Sequence, residues 1–351
     1  MRLLIVNAGS SSLKLRVLAA DDTVVASHDL EPGAPIPEGL PEVDAVAHRV
    51  VHGGTEFRDA VRVDTAVLQR LEALSDLAPL HQPKSLDALR KVSAILPEVP
   101  AVACFDTAFH QTLSPEAATY ALPKDWRERY GLRRYGFHGL SHAYAARRAQ
   151  ERCGGSRGLR VVTCHLGSGA SLAAVKDGES VDTTMGFTPL EGVVMATRCG
   201  DVDPGLLLWL QEHEGLTEQA LAETLERRSG LLGLTGSADM RQVLSRTDPD
   251  ARLGLGVYLH RLRAGIAAMA ASLGGLDALV FTGGVGENAA PVRSRAAEGL
   301  RFLGVSVDRA RNDTVTGDDE ISADDARVRT FVIRAREDLE MARQVRACLG
   351  G

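Results

Sequence analysis

The chain has 351 residues, a length that exceeds what one compact core usually holds and therefore favours two domains. Its net charge of −6 and its aromatic content of 4% disfavour nucleic-acid and anionic-membrane partners, which require basic patches or stacking side chains. The five cysteines form no Cys-x-x-Cys pair and no apolar run is long enough for a signal peptide or a membrane span, so we predict a cytoplasmic protein that acts on small molecules.

The first two predicted elements form a β-hairpin. Two β-rich runs, Leu3 to Ala8 and Leu13 to Val17, flank a turn of glycine and three serines. Backbone N–H groups of such a turn approach phosphate closely, and a lysine or an amide oxygen beside it suits phosphate or Mg²⁺. The candidate contacts are Ser10, Ser12, Lys14 and Asn7. An ordinary polar turn accounts for this segment equally well.

An alternation of helices and strands follows. Helical spacing with capping residues occurs at Asp64 to Asp76, Pro83 to Leu96 and Ser141 to Cys153, and an apolar strand is predicted from Val99 to Phe105. This order indicates an α/β fold. Asp106 follows the apolar strand directly, which is the usual position of a functional carboxylate in such a sheet.

A second hairpin begins at Leu159. A strand to Cys164, the turn His165 to Gly169 and a returning strand to Val175 repeat the opening pattern. Superposing Ser12-Leu13 on Ser171-Leu172 aligns two small-residue turns, as a duplicated domain would produce. Further elements are predicted as helices at Pro204 to Glu214, Thr217 to Arg228, Asp250 to Leu273 and Glu337 to Leu349, and strands at Leu276 to Phe281, Val305 to Val307 and Arg329 to Ile333.

A third glycine turn, Gly283 to Asn288, follows the strand that ends at Phe281. Gly284 to Ala289 satisfies G-x-G-x-x-A, and Asp308 stands near the end of a short predicted strand, so the pattern imitates a dinucleotide fingerprint. An NAD-dependent dehydrogenase is therefore one hypothesis. This hypothesis does not explain the two hairpins whose turns suit phosphate binding, or the arginines described next.

Two arginines precede glycine turns, Arg49 in His48 to Gly54 and Arg198 in Thr197 to Asp201. Phosphoryl transfer requires positive charge around the equatorial oxygens, and guanidinium groups bridge two oxygens at once. Two surface salt bridges would give the same pattern. His138 directly precedes a predicted helix and is a further candidate.

In order along the chain, six segments together closely resemble the acetate kinase family. They are Val6 to Lys14, His48 to Gly54, Phe105 to Gln111, Arg134 to His142, Met185 to Pro204 and Phe281 to Asn288. The resemblance implies duplicated actin-like ATPase (ribonuclease H-like) domains with the active site in the cleft between them. The implied domains are 1–108 plus 338–351, on the carboxylate side, and 109–337, on the nucleotide side.

The resemblance also implies the roles of individual residues. The implied catalytic residues are Asp106, Arg198, His138 and Arg49. The implied Mg²⁺ (or Mn²⁺) ligands are Asn7 and Glu337. The implied ATP/ADP contacts are Lys14, His165, Leu166, Gly167, Ser168, Gly169, Asp239, Met240, Arg241, Gly284, Val285, Gly286, Glu287 and Asn288, with Ser10 and Ser12 as the phosphate loop. The implied pocket for the acid is formed by Arg49, Val51, Leu80, Phe137 and Pro189.

The implied reaction is reversible phosphorylation of acetate by ATP through direct in-line transfer, in a homodimer. A short carboxylic acid is already an anion at pH 7 and needs no general base, so Asp106 is expected to orient Arg198 or a Mg²⁺-bound water. Propionate or butyrate kinase and a nucleotide-gated actin-like binding protein are the alternatives. Ser168 stands where the family has asparagine, which leaves GTP and pyrophosphate open as donors, and Arg336 places a cation beside Glu337.

Overall fold

The computed structural model describes residues 1–9, 12–31, 34–37, 39–79 and 81–350. The chain divides into two compact units. Unit 1 consists of Met1–Gln111, Phe137–Tyr144 and Arg336–Gly351, and unit 2 consists of Thr112–Gly136 and Ala145–Ala335. Within the described ranges, no helix combines the length and apolar character needed to cross a membrane.

The strands are β1 (Leu3–Ala8), β2 (Leu13–Leu18), β3 (Val24–Leu30), β4 (Ala45–Val50), β5 (Val61–Arg62), β6 (Ala101–Phe105), β7 (Arg160–Leu166), β8 (Ala170–Lys176), β9 (Glu179–Thr183), β10 (Ala278–Thr282), β11 (Asp319–Glu320) and β12 (Arg329–Val332). The helices are α1 (Thr65–Ala73), α2 (Gln82–Ile95), α3 (Pro115–Ala118), α4 (Lys124–Tyr130), α5 (Gly139–Arg152), α6 (Pro204–Glu214), α7 (Glu218–Arg227), α8 (Gly230–Thr235), α9 (Met240–Ser245), α10 (Pro249–Ser272), α11 (Gly283–Asn288), α12 (Ala290–Glu298), α13 (Arg309–Thr314) and α14 (Glu337–Leu349). Short 3₁₀ helices lie at Ser75–Leu77, Ala108–Thr112 and Arg301–Leu303.

Each unit contains one six-stranded mixed sheet, and the two sheets have the same topology. The order is β3-β2-β1-β4-β6-β5 in unit 1 and β9-β8-β7-β10-β12-β11 in unit 2. In each sheet three strands form a parallel centre, β1-β4-β6 or β7-β10-β12, and the outer strands run antiparallel to their neighbours. The duplication predicted from the two hairpins is therefore confirmed.

The residue match used to align the hairpins is wrong in register. Leu13 pairs with Ala8, the last residue of β1, whereas Leu172 pairs with Cys164, two residues before the end of β7. The two turns differ in length, so small residues at similar places in the sequence occupy different ladder positions. The equivalence is one of whole strands.

One face of the unit 1 sheet places the candidate residues at a common edge. Alternate residues of β1, β4 and β6 point to this face, and their apolar members pack with Met341, Ala342 and Val345 of α14. Continuing the same alternation to the carboxyl ends of the strands brings Asn7, Arg49 and Asp106 onto this face. The carboxyl ends of parallel strands are where α/β sheets bind ligands.

The opposite face of the unit 1 sheet packs on α2, through side chains such as Val46, Ala88 and Val92. His48 belongs to this face because it alternates with Arg49 along β4. Its side chain is buried, and neither ring nitrogen has a hydrogen-bond partner among the described residues. Burial lowers the pKa of His48 to about 3. His48 is therefore a neutral packing residue.

We expect His48 to make the stability of the protein fall in mild acid. Below the unfolded pKa of about 6.5, the unfolded chain binds a proton at His48 that the folded chain excludes. Well below this pH, each further decrease of one pH unit therefore lowers the free energy of unfolding by about 1.4 kcal/mol. The loss continues towards the folded value of about 3. Between pH 7 and pH 5, the free energy of unfolding measured in urea should fall by about 2 kcal/mol less in H48Q than in the wild type.

The matched control for this measurement is H260Q, which alters an exposed histidine on α10. It should show the same fall as the wild type. An equal fall in H48Q and the wild type would contradict the assignment of His48 as a buried neutral group.

Unit 2 is built around fully buried β10 and the long helix α10, which packs against β7, β8 and β9. Asp248 caps the N-terminus of α10 through the Ala251 N–H, and Pro249 occupies its first turn. The predicted bounds of α6 and α14 are confirmed. The predicted strand Val305 to Val307 is wrong, because Val305 and Val307 form two isolated bridges, and the glycine turn after β10 is the short helix α11.

Candidate active site

Arg49, Asp106 and Asn7 form one hydrogen-bonded cluster in unit 1. The Arg49 guanidinium donates from Nε to Oδ1 of Asp106 at 2.9 Å and from Nη2 to Oδ2 at 2.6 Å. Its Nη1 donates to Oδ1 of Asn7 at 3.0 Å. The two parallel bonds are the geometry of a charge-assisted ion pair, which holds the guanidinium plane in one orientation.

The electrostatics of this pair are set by burial. Asp106 is 2% exposed, and burial raises its pKa above the ordinary value while Arg49 opposes the rise. Burial alone would lower the pKa of Arg49, but Asp106 and Glu337 together raise it. Both oxygens of Asp106 are occupied by Arg49, so Arg49 is the arginine that this carboxylate orients within unit 1.

His138 lies next to Asp106 because the backbones of the two segments touch. The Gly139 N–H donates to the Asp106 carbonyl at 2.9 Å, and a Cβ at position 139 would lie 2.3 Å from that oxygen. Only glycine allows this approach. His138 itself has a φ of 56°, a left-handed backbone that is costly for a residue other than glycine and concentrates at functional sites.

Asn7 and Glu337 lie together, as the resemblance implies for a metal pair. The Asn7 amide donates to Oε2 of Glu337 at 2.7 Å, and Glu337 is the first residue of α14. The neighbouring Arg336 donates to both oxygens of Asp338, so its cation is paired there. One carboxylate and one amide oxygen fit a hard cation such as Mg²⁺, which keeps waters and substrate oxygens as its other ligands.

Four other candidates belong to unit 1. Lys14 pairs with Asn7 in the β1-β2 ladder, so both side chains stand on one face, and Lys14 is exposed. Val51 and Phe137 are buried, and the Phe137 ring contacts His52 edge-on at 5.6 Å. Ser12 accepts the Gly9 N–H through its carbonyl at 2.9 Å. Ser10 and Leu80 lie outside the described residues.

Gln82 is a residue of this region that the sequence does not reveal. It is fully buried, accepts the His52 N–H at 3.0 Å and donates to the His52 carbonyl at the same distance. The paired bonds fix the turn that carries Val51. No sequence signal marks Gln82, because a polar residue before a proline reads as an ordinary helix start.

Arg198 in unit 2 differs from Arg49 in having no carboxylate partner among the residues that the structure describes. Its Nη1 donates to the Pro189 carbonyl at 3.0 Å and contacts the Met195 sulfur at 3.7 Å, and within the described ranges no carboxylate forms an ion pair with it. Burial lowers the pKa of Arg198, and Glu226 opposes the shift from a distance. A partly desolvated cation without a counter-ion favours an anion beside it.

The glycine segment after β10 is held by Glu287 and a buried arginine. Oε1 of Glu287 accepts the N–H groups of Gly283 at 3.1 Å and Ala335 at 2.9 Å. Arg293, which is 1% exposed, donates to the carbonyls of Gly286 and Glu287. The sequence does not predict these contacts, since Arg293 resembles any polar residue of an ordinary helix.

The other candidate nucleotide contacts of unit 2 are a turn and a helix start. His165 is the last residue but one of β7 and pairs with Thr282 of β10, and Ser168 is exposed in the turn after β7. Asp239 caps α9 through the Arg241 N–H and pairs with the exposed Arg241 side chain at 2.8 Å. Met240 is buried. Leu166, Gly167 and Gly169 belong to the same stretch as His165 and Ser168, and Gly284, Val285 and Asn288 belong to α11.

Asp308 does not have the setting that a dinucleotide site requires. Its side chain caps α13 by accepting the Arg311 N–H at 2.8 Å. The glycines belong to the six-residue helix α11, which ends at Asn288, and Ala289 separates it from the next helix, α12. The hypothesis of an NAD-dependent dehydrogenase is therefore not supported.

Both units thus carry polar residues at the carboxyl ends of their central strands, in the duplicated fold of the actin-like ATPases. A family model described as the acetokinase family matches residues 29–343. The chain is 46% identical to an acetate kinase of Phocaeicola vulgatus over 89% of this chain and 80% of that protein, and 47% identical to a propionate kinase of Citrobacter rodentium over 90% and 79%. The structure resembles the crystal structure of Porphyromonas gingivalis acetate kinase with a TM-score of 0.91, 34% identity and 99% of each chain covered.

The chain belongs to the acetokinase family. It is a phosphotransferase with a carboxyl group as acceptor, and the family and its relatives support acetate kinase activity with ATP/ADP and a divalent metal. The resemblance found from the six sequence segments is confirmed, as is the fold class.

Proposed function

We propose that the chain transfers the γ-phosphoryl group of ATP directly and in line to the carboxylate of a short-chain acid, with acetate preferred and Mg²⁺ as the metal. The observation that carries this proposal is the contrast between the two arginines. Arg49 is neutralised and oriented by Asp106, whereas Arg198 is a partly buried cation held by neutral acceptors. An oriented arginine suits a substrate carboxylate, and an uncompensated one suits charge that develops during transfer.

The residues act by relieving repulsion between two anions. The acid is ionised at neutral pH, so its oxygen attacks without a general base. Arg49 binds and orients the acid, Arg198 stabilises the transferring group, and Lys14 and His138 contact phosphoryl oxygens. Asp106 keeps Arg49 in its orientation and abstracts no proton.

Asn7 and Glu337 would hold Mg²⁺. The bound cation supplies neutralisation of the phosphate charge. We expect E337Q to raise the Mg²⁺ concentration needed for half-maximal activity by roughly 10-fold, with kcat recovering at high Mg²⁺. A metal titration at saturating ATP measures this, repeated with Mn²⁺ to compare the two ions. E298Q, at an exposed position, is the control, and an unchanged metal requirement in E337Q would remove Glu337 from the site.

The acid and the donor are tested by trapping the acyl phosphate with hydroxylamine. Acetate should give the highest kcat/KM, with propionate and butyrate lower because an added methylene in an apolar site changes discrimination by about 1 to 3 kcal/mol. The buried Val51 and Phe137 support a small acid. ATP, GTP and pyrophosphate are compared in the same assay, since Ser168 bears on the donor. Absence of product with every acid would refute the kinase and leave the actin-like binding protein.

We assign the carboxylate side to residues 1–108 and 338–351 and the nucleotide side to residues 109–337. The arginine–aspartate cluster supports the first assignment, and the glycine segment that ends at Asn288 supports the second. We further propose a cytoplasmic location, because all five cysteines are free thiols, as a reducing compartment favours.

We propose a homodimer, with α6 in the interface. None of the 11 residues of α6 is buried, although Leu206 to Trp209 are all apolar and Leu208 is 67% exposed. A contiguous exposed run of large apolar side chains is normally covered by another surface. A second copy of the chain is the proposed cover, because most soluble oligomers are symmetric homo-oligomers.

We expect the double variant L208D/W209D to shift the protein from dimer to monomer in sedimentation velocity. Two carboxylates in a desolvated interface are strongly unfavourable. F302D, which alters an equally exposed side chain elsewhere in unit 2, should stay dimeric. A wild-type monomer, or a dimeric L208D/W209D, would contradict the proposal.

A further inference from the structure

The segment between β9 and α6 carries two of the candidate residues without regular structure of its own. Residues 184–203 form neither helix nor strand, yet they include Pro189 and Arg198. A loop of this length is mobile unless side chains hold it. The position of the Arg198 guanidinium therefore depends on what fixes this loop.

Glu191 is the point at which the loop is fixed. Its Oε1 accepts from Nη2 of Arg134 at 2.6 Å, and its Oε2 accepts from the hydroxyl of Tyr120. The three side chains are only partly exposed, so the bonds are shielded from water. Burial and the neighbouring Glu191 raise the pKa of Tyr120, which keeps the phenol a donor. We call these three residues the brace.

The brace also binds the backbone at the start of the loop. Arg134 donates from Nη1 to the carbonyls of Thr184 at 3.1 Å and Met185 at 3.0 Å. The Tyr120 oxygen accepts the Phe187 N–H at 2.8 Å. Three of the first four residues of the loop are thus hydrogen-bonded to two brace side chains.

Gly186 shows how closely the brace packs on the loop. A Cβ at this position would lie 1.6 Å from Oε2 of Glu191 and 2.0 Å from the Tyr120 hydroxyl. Its carbonyl accepts the N–H groups of Tyr135 at 3.0 Å and Gly136 at 3.3 Å. The polar side chains therefore occupy the space that any larger residue would need.

The link from the brace to Arg198 is short. Glu191 stands two residues after Pro189, whose carbonyl accepts from the Arg198 guanidinium at 3.0 Å. The next residue, Gly192, exchanges hydrogen bonds with Asp201, from its N–H to the Asp201 carboxylate at 2.7 Å and to its carbonyl from the Asp201 N–H at 2.8 Å. These two bonds join Gly192 to Asp201, so they tie together the two ends of the segment that contains Arg198.

We propose that Glu191, held by Arg134 and Tyr120, is a positioning residue that fixes the Pro189 carbonyl and thereby aims the guanidinium of Arg198. The inference rests on the proposed role of Arg198 in phosphoryl transfer. The brace residues are not proposed to contact substrate or nucleotide. They act through Arg198, because a small displacement of an electrostatic catalyst lowers the rate with little change in ground-state binding.

The test is a double-mutant cycle between Tyr120 and Arg198. Y120F removes one hydroxyl and should lower kcat about 10-fold, with the KM for ATP within about 2-fold and an unchanged melting temperature. On an R198A background the same substitution should change kcat less than about 2-fold, since there is no guanidinium left to aim. E191Q should behave in the same way with a larger loss.

The matched control is Y130F, at a tyrosine that is 55% exposed, and it should equal the wild type. A wild-type kcat in both Y120F and E191Q would overturn the inference. So would a loss that persists undiminished on the R198A background, because the brace would then act through another group. R198A alone tests the underlying function: if it keeps the wild-type kcat, the role of Arg198 fails, whatever Y120F does.

Discussion

Replacing Arg198 by alanine should lower kcat by about 1,000-fold while the KM for ATP changes less than about 3-fold. The guanidinium has no carboxylate partner among the described residues and is partly desolvated, so its charge is available to the transferring group. An interaction that strengthens in the transition state appears in kcat and not in ground-state binding. Steady-state kinetics with acetate and ATP varied separately measure both constants.

Two further variants sharpen this result. R198K keeps the charge but loses the planar fork, so its kcat should lie between those of R198A and the wild type. R309A removes an arginine that is 95% exposed and should have wild-type kinetics. An effect of R198A confined to KM would assign Arg198 to binding only.

Replacing Asp106 by asparagine should impair both activity and stability. The substitution removes the hydrogen-bonded counter-ion of Arg49, whose side chain is only 15% exposed, which costs about 3 to 5 kcal/mol of unfolding free energy. It also loosens the two bonds that orient Arg49, so we expect kcat to fall by about 100-fold in the protein that remains folded. Denaturant unfolding and kinetics on the same preparation separate the two effects.

The control for D106N is D29N. Asp29 also pairs with an arginine of unit 1, Arg16 at 2.6 Å, but its side chain is 61% exposed. An exposed pair contributes about 0 to 1 kcal/mol, so D29N should differ little from the wild type in stability and kcat. A folded D106N with wild-type kcat would show that Arg49 needs no orienting carboxylate.

The sequence predicts the bounds of helices and strands well where capping residues and the spacing of apolar residues agree. Proline and aspartate mark the start of α6, and a glycine in the left-handed conformation ends it, so its bounds are readable from the chain. The apolar run of β6 likewise indicated that Asp106 follows a strand end. Short helices such as α8 and α9 were missed, because six residues carry too little periodicity to recognise.

Pairings distant in sequence were not predictable in the same way. Arg49 and Asp106 are 57 residues apart, and the sequence left open whether Asp106 orients Arg198 or a bound water. Because β4 and β6 are neighbours in the sheet, Asp106 contacts Arg49. The brace on Glu191 was not predictable either, because nothing in the sequence indicates that Tyr120 and Arg134 contact this carboxylate.

The sequence by itself determined the family, the α/β class and most of the candidate residues, because glycine turns, strand ends and arginines in a fixed order are local patterns. The tertiary structure decided which charges are compensated. Whether an arginine has a counter-ion depends on which strand ends or loops lie beside it, and burial then sets how strongly the pairing matters. Arg49 and Arg198 look alike in the sequence, and only the fold distinguishes the neutralised cation from the available one.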